Sequence, residues 1–271
     1  MRVVAPEVYE RLIAKVKWAS EHIRNLQAVC DRFDESHPYR IEREHDTQAG
    51  QLVYYLRSIK PVPQEVPLIA GDILSNLRSA LDHCIWHLVQ RNATLPNRRD
   101  VYFPIRDSAT DYQLPGFRRK IQHLGQDVID VLDQIKPYKG GNDELWRLKE
   151  LNNLDKHKLL VTIASVHPAR SETLADREKA RDGWAREHPG KTFPFPDNIR
   201  RFIPADAPKK TLKTGDELLR VPDSEMNEQP QLLIEVALAE VGVAEGEPLV
   251  PALHEIKMMV LRTIGKLTDL L

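Results

Sequence analysis

The sequence predicts an α+β protein, in which a helical bundle carries small antiparallel β-hairpins or a small sheet. Near both ends and in the middle of the chain, apolar residues recur at steps of three and four, the spacing that lines one face of a helix. Segments rich in β-branched residues stand in separate groups between these stretches and do not alternate regularly with helices. We therefore expect a single α+β domain over residues 1–271.

Four predicted helices form the core of this domain. They cover about residues 6–35, 66–91, 143–157 and 249–270. Pro6 suits the first turn of the first helix, where its missing N–H group would have no intrahelical partner in any case. A proline cluster within residues 61–67 precedes the second helix, and Asn142 is a suitable N-cap for the third.

The strand signals lie between these helices. In residues 39–59 the period changes to two, and a glycine-containing turn separates two extended runs, which predicts a β-hairpin. A shorter hairpin is expected around Gly215, and single strands are expected in KLLVTIASV and QLLIEVALAEV. Residues 167–210 are polar and rich in proline, so we expect a functional excursion or a poorly ordered segment there.

Composition excludes several classes of protein. The formal net charge of −1 gives no global field for a nucleic acid, and the two cysteines suggest neither a disulfide framework nor a zinc cluster. No nucleotide-binding glycine motif and no metalloprotease or hydrolase motif is present, so we expect no cofactor and no metal. We see no secretory signal and no apolar run that could span a bilayer, and we expect a soluble cytoplasmic protein with no membrane partner.

The second helix, GDILSNLRSALDHCIWHL at residues 71–88, carries an unusual set of polar residues. At about 100° per residue, one face is apolar and a second face is polar. The second face carries Asp72, Asn76, Ser79, His83 and His87. Arg78 and Asp82 lie on the other flank, four residues apart, where an ordinary ion pair is the simplest interpretation. Because solvated helix faces usually carry Glu and Lys, the polar residues indicate either a functional site or buried polar pairing.

A second polar group ends the third predicted helix, in NNLDKHKLL. Lys156 and His157 are favoured there by the helix dipole and by the unpaired carbonyl groups of the last turn. Asp155 has the wrong charge for that position, so we expect it to pair with a buried cation, for which Arg78 is one candidate. We include Asn153, Asp155 and His157 with Asp72, Asn76 and Asp82 as supporting residues of one site.

A third candidate is the basic and aromatic stretch of residues 91–120. Its seven basic side chains outnumber three acidic ones, and aromatic residues are interleaved with them. Cations contact phosphates and aromatic rings stack on bases, so this composition suits a single-stranded nucleic acid. The expected nucleic-acid contacts are Arg98, Arg99, Arg118, Arg119 and Lys120. The alternative is that the aromatic residues anchor a loop to the core.

The run NLRSALDH, with Arg78 followed after four residues by His83, resembles the signature of the HEPN superfamily (higher eukaryotes and prokaryotes nucleotide-binding). The wider pattern GDxxxNLRxxLDH, with a later LDKH, resembles an uncharacterised bacterial protein family. HEPN proteins are helical domains, and many are metal-independent endoribonucleases of toxin and defence systems. The resemblance therefore implies a metal-independent endoribonuclease of a bacterial defence or stress system that acts on RNA.

In the roles that this resemblance implies, Arg78 and His83 are the catalytic residues. His83 acts as general base on a ribose 2′-hydroxyl or as acid toward the leaving oxygen, and Arg78 stabilises charge on the phosphate. Five helical steps separate the two side chains by about 140°. HEPN sites are built across a homodimer, so the two side chains need not come from one helix. The resemblance therefore implies a dimer through the second helix.

The rival hypothesis is a non-catalytic binding or scaffold protein of unknown function. In it, Asn76, Arg78, Asp82, His83, Asp155 and His157 form a buried polar network that joins the second and third predicted helices. The binding face then lies in the excursion. A further alternative is a ligand-binding protein with a polar pocket between the same helices. Sequence patterns alone leave all three open.

Overall fold

A computed structural model describes residues 6–90, 101–158, 160, 162–169, 212–223 and 231–270. It confirms a mainly helical α+β fold with small β-sheets. The helices are α1 (Pro6–Glu35), α2 (Glu65–Val89), α3 (Ala109–Gln113), α4 (Pro115–Ile121), α5 (Gln126–Ile135), α6 (Asp143–His157) and α7 (Leu249–Thr268). The strands are β1 (Tyr39–Asp46), β2 (Gln51–Ile59), β3 (Thr162–Ala169), β4 (Glu217–Pro222) and β5 (Gln231–Leu238). The four predicted core helices agree with α1, α2, α6 and α7 to within two residues at each end.

Helix α2 lies at the centre of the helical core and packs against α1, α6 and α7. Its apolar face is removed from water entirely at Leu77, Leu81 and Ile85. Burying a side chain of this size stabilises the fold by about 1.5–3 kcal/mol, so this face contributes strongly to holding α2 in the core. Helices α1 and α2 run antiparallel, because Arg32 in the last turn of α1 lies 3.7 Å from Glu65 in the first turn of α2.

The strands form two small sheets. In the first, β1, β2 and β4 are neighbours in that order, and both pairs are antiparallel. The turn between β1 and β2 contains Gly50 at a φ of 63°, a backbone conformation that favours glycine, and the predicted hairpin of residues 39–59 is confirmed. The predicted hairpin around Gly215 is wrong. Strand β4 follows that turn but pairs with the distant strand β2, with Leu52 opposite Val221 and Tyr55 opposite Glu217, rather than with residues 212–213.

The second sheet contains β3 and β5 as neighbours, so both expected single strands are present. Contacts within the chain divide it into two compact units. The first contains residues 1–37, 61–163 and 236–271, and the second contains residues 38–60 and 164–235. The single domain expected over residues 1–271 stays a prediction. The polar excursion expected over 167–210 falls outside the described residues from 170 onward, and its first three residues belong to β3.

The segment that follows α2 in the first unit is mostly helical from residue 109 onward. Helices α3, α4 and α5 follow one another within residues 109–135. Tyr112 and Phe103 are buried completely or almost so, and they are the largest such side chains of the described residues. No helix among the described residues is both long enough and apolar enough to cross a membrane.

Candidate functional site

Helix α2 presents three distinct sides. Its apolar face is buried in the core, and one flank carries Gly71, Arg78 and Asp82 at steps of seven and four residues. Beyond that flank lies a row of residues at steps of three and four, here named the outer strip. The outer strip consists of Leu68, Asp72, Ser75, Ser79, His83 and Trp86. Asp72, Ser75 and His83 are exposed, and Leu68 keeps 54% of its surface exposed although it is apolar.

Arg78 and Asp82 form a clamp on the backbone of Phe103. The Arg78 Nη2 atom donates a hydrogen bond of 2.7 Å to the Phe103 carbonyl oxygen, and the Phe103 N–H donates one of 2.8 Å to Asp82 Oδ1. Arg78 Nη2 also lies 3.0 Å from Asp82 Oδ1. The Arg78 side chain is only 16% exposed. The pair therefore does more than an ordinary helical ion pair, because it satisfies both backbone groups of a fully buried residue.

The ion pair expected between Arg78 and Asp82 is present. Asp155 was the other candidate partner, but the second contact of Arg78 is with the Phe103 carbonyl. Charge-assisted hydrogen bonds of this length are strong, and breaking one leaves a buried carbonyl without a partner. Arg78 thus holds the segment around Phe103 against α2, and this contact is structural in character.

His83 lies in a different environment from Arg78. Its side chain is exposed on the outer strip and makes no hydrogen bond to the described part of the chain. Five residues of α-helix separate the two side chains by about 140° around the helix axis. Within one chain, α2 therefore does not direct Arg78 and His83 toward a common phosphate.

Asn76, another polar residue of α2, makes a contact within its own helix. Asn76 Nδ2 donates a hydrogen bond of 2.7 Å to the backbone carbonyl of Asp72, one turn earlier in the helix. Side chains that bond back to their own helix in this way belong to no network between elements. Asp72 itself is exposed on the outer strip.

The two polar motifs of the sequence meet at Gly71 and Asp155. A Cβ atom at Gly71 would lie 2.5 Å from both carboxylate oxygens of Asp155, far inside van der Waals contact. Only glycine at this position leaves room for Asp155 of α6 to keep its place. Burial raises the pKa of the Asp155 carboxyl above its usual value, and the negative charge of Asp72 raises it further. Within the described chain, Asp155 thus packs against α2 beside a like charge and forms no ion pair with a cation.

The other residues at the end of α6 do not join this contact. Asn153 and His157 are exposed, so they are not members of a buried network. Lys158, just after α6, lies 3.3 Å from the buried carboxylate of Glu240. The six residues of the expected network are therefore distributed over separate places. Arg78 and Asp82 form the Phe103 clamp, Asn76 bonds back to its own helix, and His83 lies on the outer strip. Asp155 forms the Gly71 contact, and His157 lies at the exposed end of α6.

The basic stretch divides into structural and exposed residues. Arg118 binds Asp133 through two hydrogen bonds of 2.7 and 3.0 Å, and the Tyr112 hydroxyl donates one of 2.9 Å to the same carboxylate. The Arg118 guanidinium also lies over the Tyr112 ring, 5.4 Å from its centroid. Arg118 thus holds α4 against α5 through Asp133, and its expected role in nucleic-acid binding stays a prediction.

Arg119 and Lys120 are exposed, and Arg98 and Arg99 lie outside the described residues. Phe103, Tyr112 and Phe117 are buried and unable to stack on bases, so the anchoring alternative is correct for these three rings. Arg106 packs 4.8 Å from the centroid of the Phe117 ring and supports the same apolar cluster.

Sequence reasoning missed three groups that the structure brings to this region. Asp133 and the Phe103 carbonyl carry no sequence signal, because each acquires its role from the path of the chain. Gly71 did carry a signal. A glycine inside a helix costs about 1 kcal/mol relative to alanine, so its presence in α2 indicates a close approach of another group.

Groups with redox or metal chemistry are few in the described part of the chain. There, no cluster of three or more His, Cys, Asp or Glu side chains has an arrangement that could hold a metal ion. Burial in the apolar core raises the pKa of the Cys84 thiol to about 12, so this thiol stays protonated and unreactive at neutral pH. Comparisons with protein-family models, with curated proteins and with solved structures found no match.

Proposed function

We propose that this protein is a non-catalytic binding or scaffold protein of the cytoplasm, in which α2 is the structural centre of the helical unit. The observation that carries the proposal is the clamp of Arg78 and Asp82 on the Phe103 backbone. A guanidinium 3.0 Å from a carboxylate, with a hydrogen bond to a buried carbonyl, has most of its charge compensated. Stabilising a phosphate with Arg78 would require breaking these contacts.

The divergence of Arg78 and His83 supports the same proposal. A general base and a charge-stabilising group must reach one reacting phosphate within hydrogen-bond distance. On one chain the half-buried Arg78 and the exposed His83 point to different sides of α2. The surface that α2 offers to a partner is the outer strip.

RNA incubated with the full-length protein in EDTA tests this proposal. We expect no cleavage by the wild type, by His83→Ala or by Arg78→Lys over a range of RNAs. The two variants are expected to differ in stability, because His83 is exposed and makes no hydrogen bond in the described chain, whereas Arg78 holds Phe103. Metal-independent cleavage by wild type that is lost in folded His83→Ala would overturn the non-catalytic proposal.

The second candidate is a HEPN-type, metal-independent endoribonuclease that acts on RNA as a homodimer in bacterial defence or stress. Exposure of His83 favours it, because a general base must reach its substrate. Arg119 and Lys120 are exposed and available for phosphate contacts. This candidate requires two copies of α2, since one copy does not direct Arg78 and His83 to one point.

The outer strip supports such a pairing because four of its six residues are arranged symmetrically about the level of Leu77. Leu68 and Trp86 lie nine residues on either side, and Ser75 and Ser79 lie two on either side. In a two-fold antiparallel pair of helices, residues equidistant from the axis meet each other. Apolar side chains would then meet at both ends and small ones at the centre. Asp72 lies five residues before Leu77 and His83 six residues after it, so each Asp72 would lie within one residue of the level of a partner His83.

A charge exchange tests this pairing. Asp72→Lys places a cation opposite His83 and is expected to raise the dimer dissociation constant, measured by sedimentation equilibrium. The double change Asp72→Lys and His83→Asp restores opposite charges and is expected to recover the dimer. Glu245→Lys, an exposed change of the same charge in the turn after β5, is the control and is expected to have no effect. A monomeric wild type, or equal effects of Asp72→Lys and Glu245→Lys, would exclude this interface.

A further inference from the structure

Two adjacent methionines of α7, Met258 and Met259, place their side chains in different environments. Met258 keeps 44% of its surface exposed. Met259 is partly buried and packs against the apolar core cluster of the helical unit. Successive residues of a helix point about 100° apart, so neighbouring positions can differ in this way.

The sulfur atom of Met259 also accepts a hydrogen bond from another helix. Asn142, the N-cap residue of α6, donates from Nδ2 to the Met259 Sδ atom over 3.1 Å. The Asn142 Oδ1 atom accepts from the Leu145 N–H at 3.2 Å, which caps the first turn of α6. Because the cap requires the oxygen on that side, the amide orientation is fixed and its N–H donor is directed at the sulfur.

These two environments predict different reactivities toward peroxides, because a thioether is oxidised through a lone pair on its sulfur. The lone pair attacks one oxygen of hydrogen peroxide, a sulfur–oxygen bond forms and the oxygen–oxygen bond breaks. The departing hydroxide takes the proton of the transferred oxygen and leaves as water, so sulfur loses two electrons and peroxide gains them. In Met259, one lone pair accepts the Asn142 N–H and packing against the core covers part of the side chain.

We propose that Met258 is an oxidative modification site for hydrogen peroxide, and that Met259 is a protected second site whose oxidation loosens the packing of α6 against α7. A sulfoxide at Met258 faces water, where its polar oxygen costs little. A sulfoxide at Met259 places a polar oxygen against the apolar core, and the 3.1 Å contact with Asn142 leaves no room for that oxygen on the same side of the sulfur. Methionine sulfoxide reductases reverse both modifications.

This pair is independent of both candidate functions, because it uses no residue of α2. It requires only that α6 and α7 stay packed, and both helices contribute buried residues to the same core cluster. Met258 is exposed, so peroxide reaches its sulfur from solvent without any movement of the fold.

A time course of hydrogen peroxide oxidation of the folded full-length protein, measured by peptide mass spectrometry, tests the proposal. Trypsin releases both methionines in one peptide, MMVLR at 258–262, and its fragment ions assign the sulfoxide to either position. Met258 is expected to react at least about fivefold faster than Met259, and the two rates are expected to become equal in denaturing urea. Asn142→Asp keeps the oxygen that caps α6 and removes the N–H donor, so it is expected to raise the Met259 rate at least about threefold and leave the Met258 rate unchanged.

Urea unfolding of the oxidised protein separates the two steps. The midpoint is expected to stay constant while Met258 sulfoxide accumulates and to fall as Met259 sulfoxide appears. Met258→Leu is expected to keep this fall, and Met259→Leu, in which the other methionines still react, is expected to abolish it. The proposal is overturned by equal rates at the two positions in the folded protein, by an unchanged Met259 rate in Asn142→Asp, or by an equal fall of the midpoint in Met259→Leu.

Discussion

Replacing Arg78 by alanine tests the structural role of the clamp most directly. The change removes the hydrogen bond from Arg78 Nη2 to the Phe103 carbonyl and the ion pair with Asp82. A hydrogen bond to a charged group contributes about 1.5–3 kcal/mol, and a helical ion pair at this spacing adds about 0.2–0.5 kcal/mol. Because Phe103 is fully buried, water does not replace the lost partner. We expect the free energy of unfolding to fall by about 2–3 kcal/mol.

Urea unfolding followed by circular dichroism at pH 7 measures this change. The midpoint is expected to fall while the dependence on urea stays constant, because the surface exposed on unfolding does not change. His83→Ala is the matched control, since His83 lies five residues along the same helix and is exposed. Its effect is expected to stay within about 0.5 kcal/mol. A loss below about 0.5 kcal/mol for Arg78→Ala would refute the clamp.

Three further predictions concern the contacts around this helix. Gly71→Ala is expected to stabilise the fold by about 1 kcal/mol in an Asp155→Ala background. In wild type no such gain is expected, because the new Cβ meets the Asp155 carboxylate. Equal gains in the two backgrounds, measured by urea unfolding, would contradict the contact. Asp155→Asn is expected to stabilise the protein at pH 7. The raised pKa penalises only the ionised carboxyl, so this gain is expected to disappear as the pH falls below the ordinary aspartate value of 3.8, and a gain independent of pH would exclude this cause. Tyr112→Phe removes the hydrogen bond to Asp133 and is expected to cost about 1 kcal/mol, and an unchanged urea midpoint would show that this bond contributes nothing.

The clamp and the Gly71 contact together explain two residues of α2 that are poor helix formers, Asp82 and Gly71. Asp82 accepts from the Phe103 N–H, and Gly71 makes room for Asp155. Both roles depend on side-chain size and geometry more than on helix propensity. The outer strip is the part of α2 that these structural roles leave unexplained.

Local patterns were sufficient to predict the helices of the first unit. The bounds of α1 and α6 agree with those expected from apolar spacing and capping residues, because both signals lie within the segments themselves. The hairpin of β1 and β2 was predictable for the same reason, since a short turn joins its strands. The pairing of β4 with β2 was not predictable, because the sequence of a strand does not indicate which distant strand it will pair with.

The sequence by itself determined the fold class, the apolar face of α2 and the identity of its polar residues. Only the tertiary structure decided what those residues do. Arg78 pairs with Asp82 four residues away, yet its shortest hydrogen bond, 2.7 Å long, is to the carbonyl of Phe103 in another segment. Asp155 was expected beside a cation and lies against Gly71 and near Asp72. Helical periodicity is set by neighbours along the chain, whereas the partner of a buried polar group is set by which segments the core brings together.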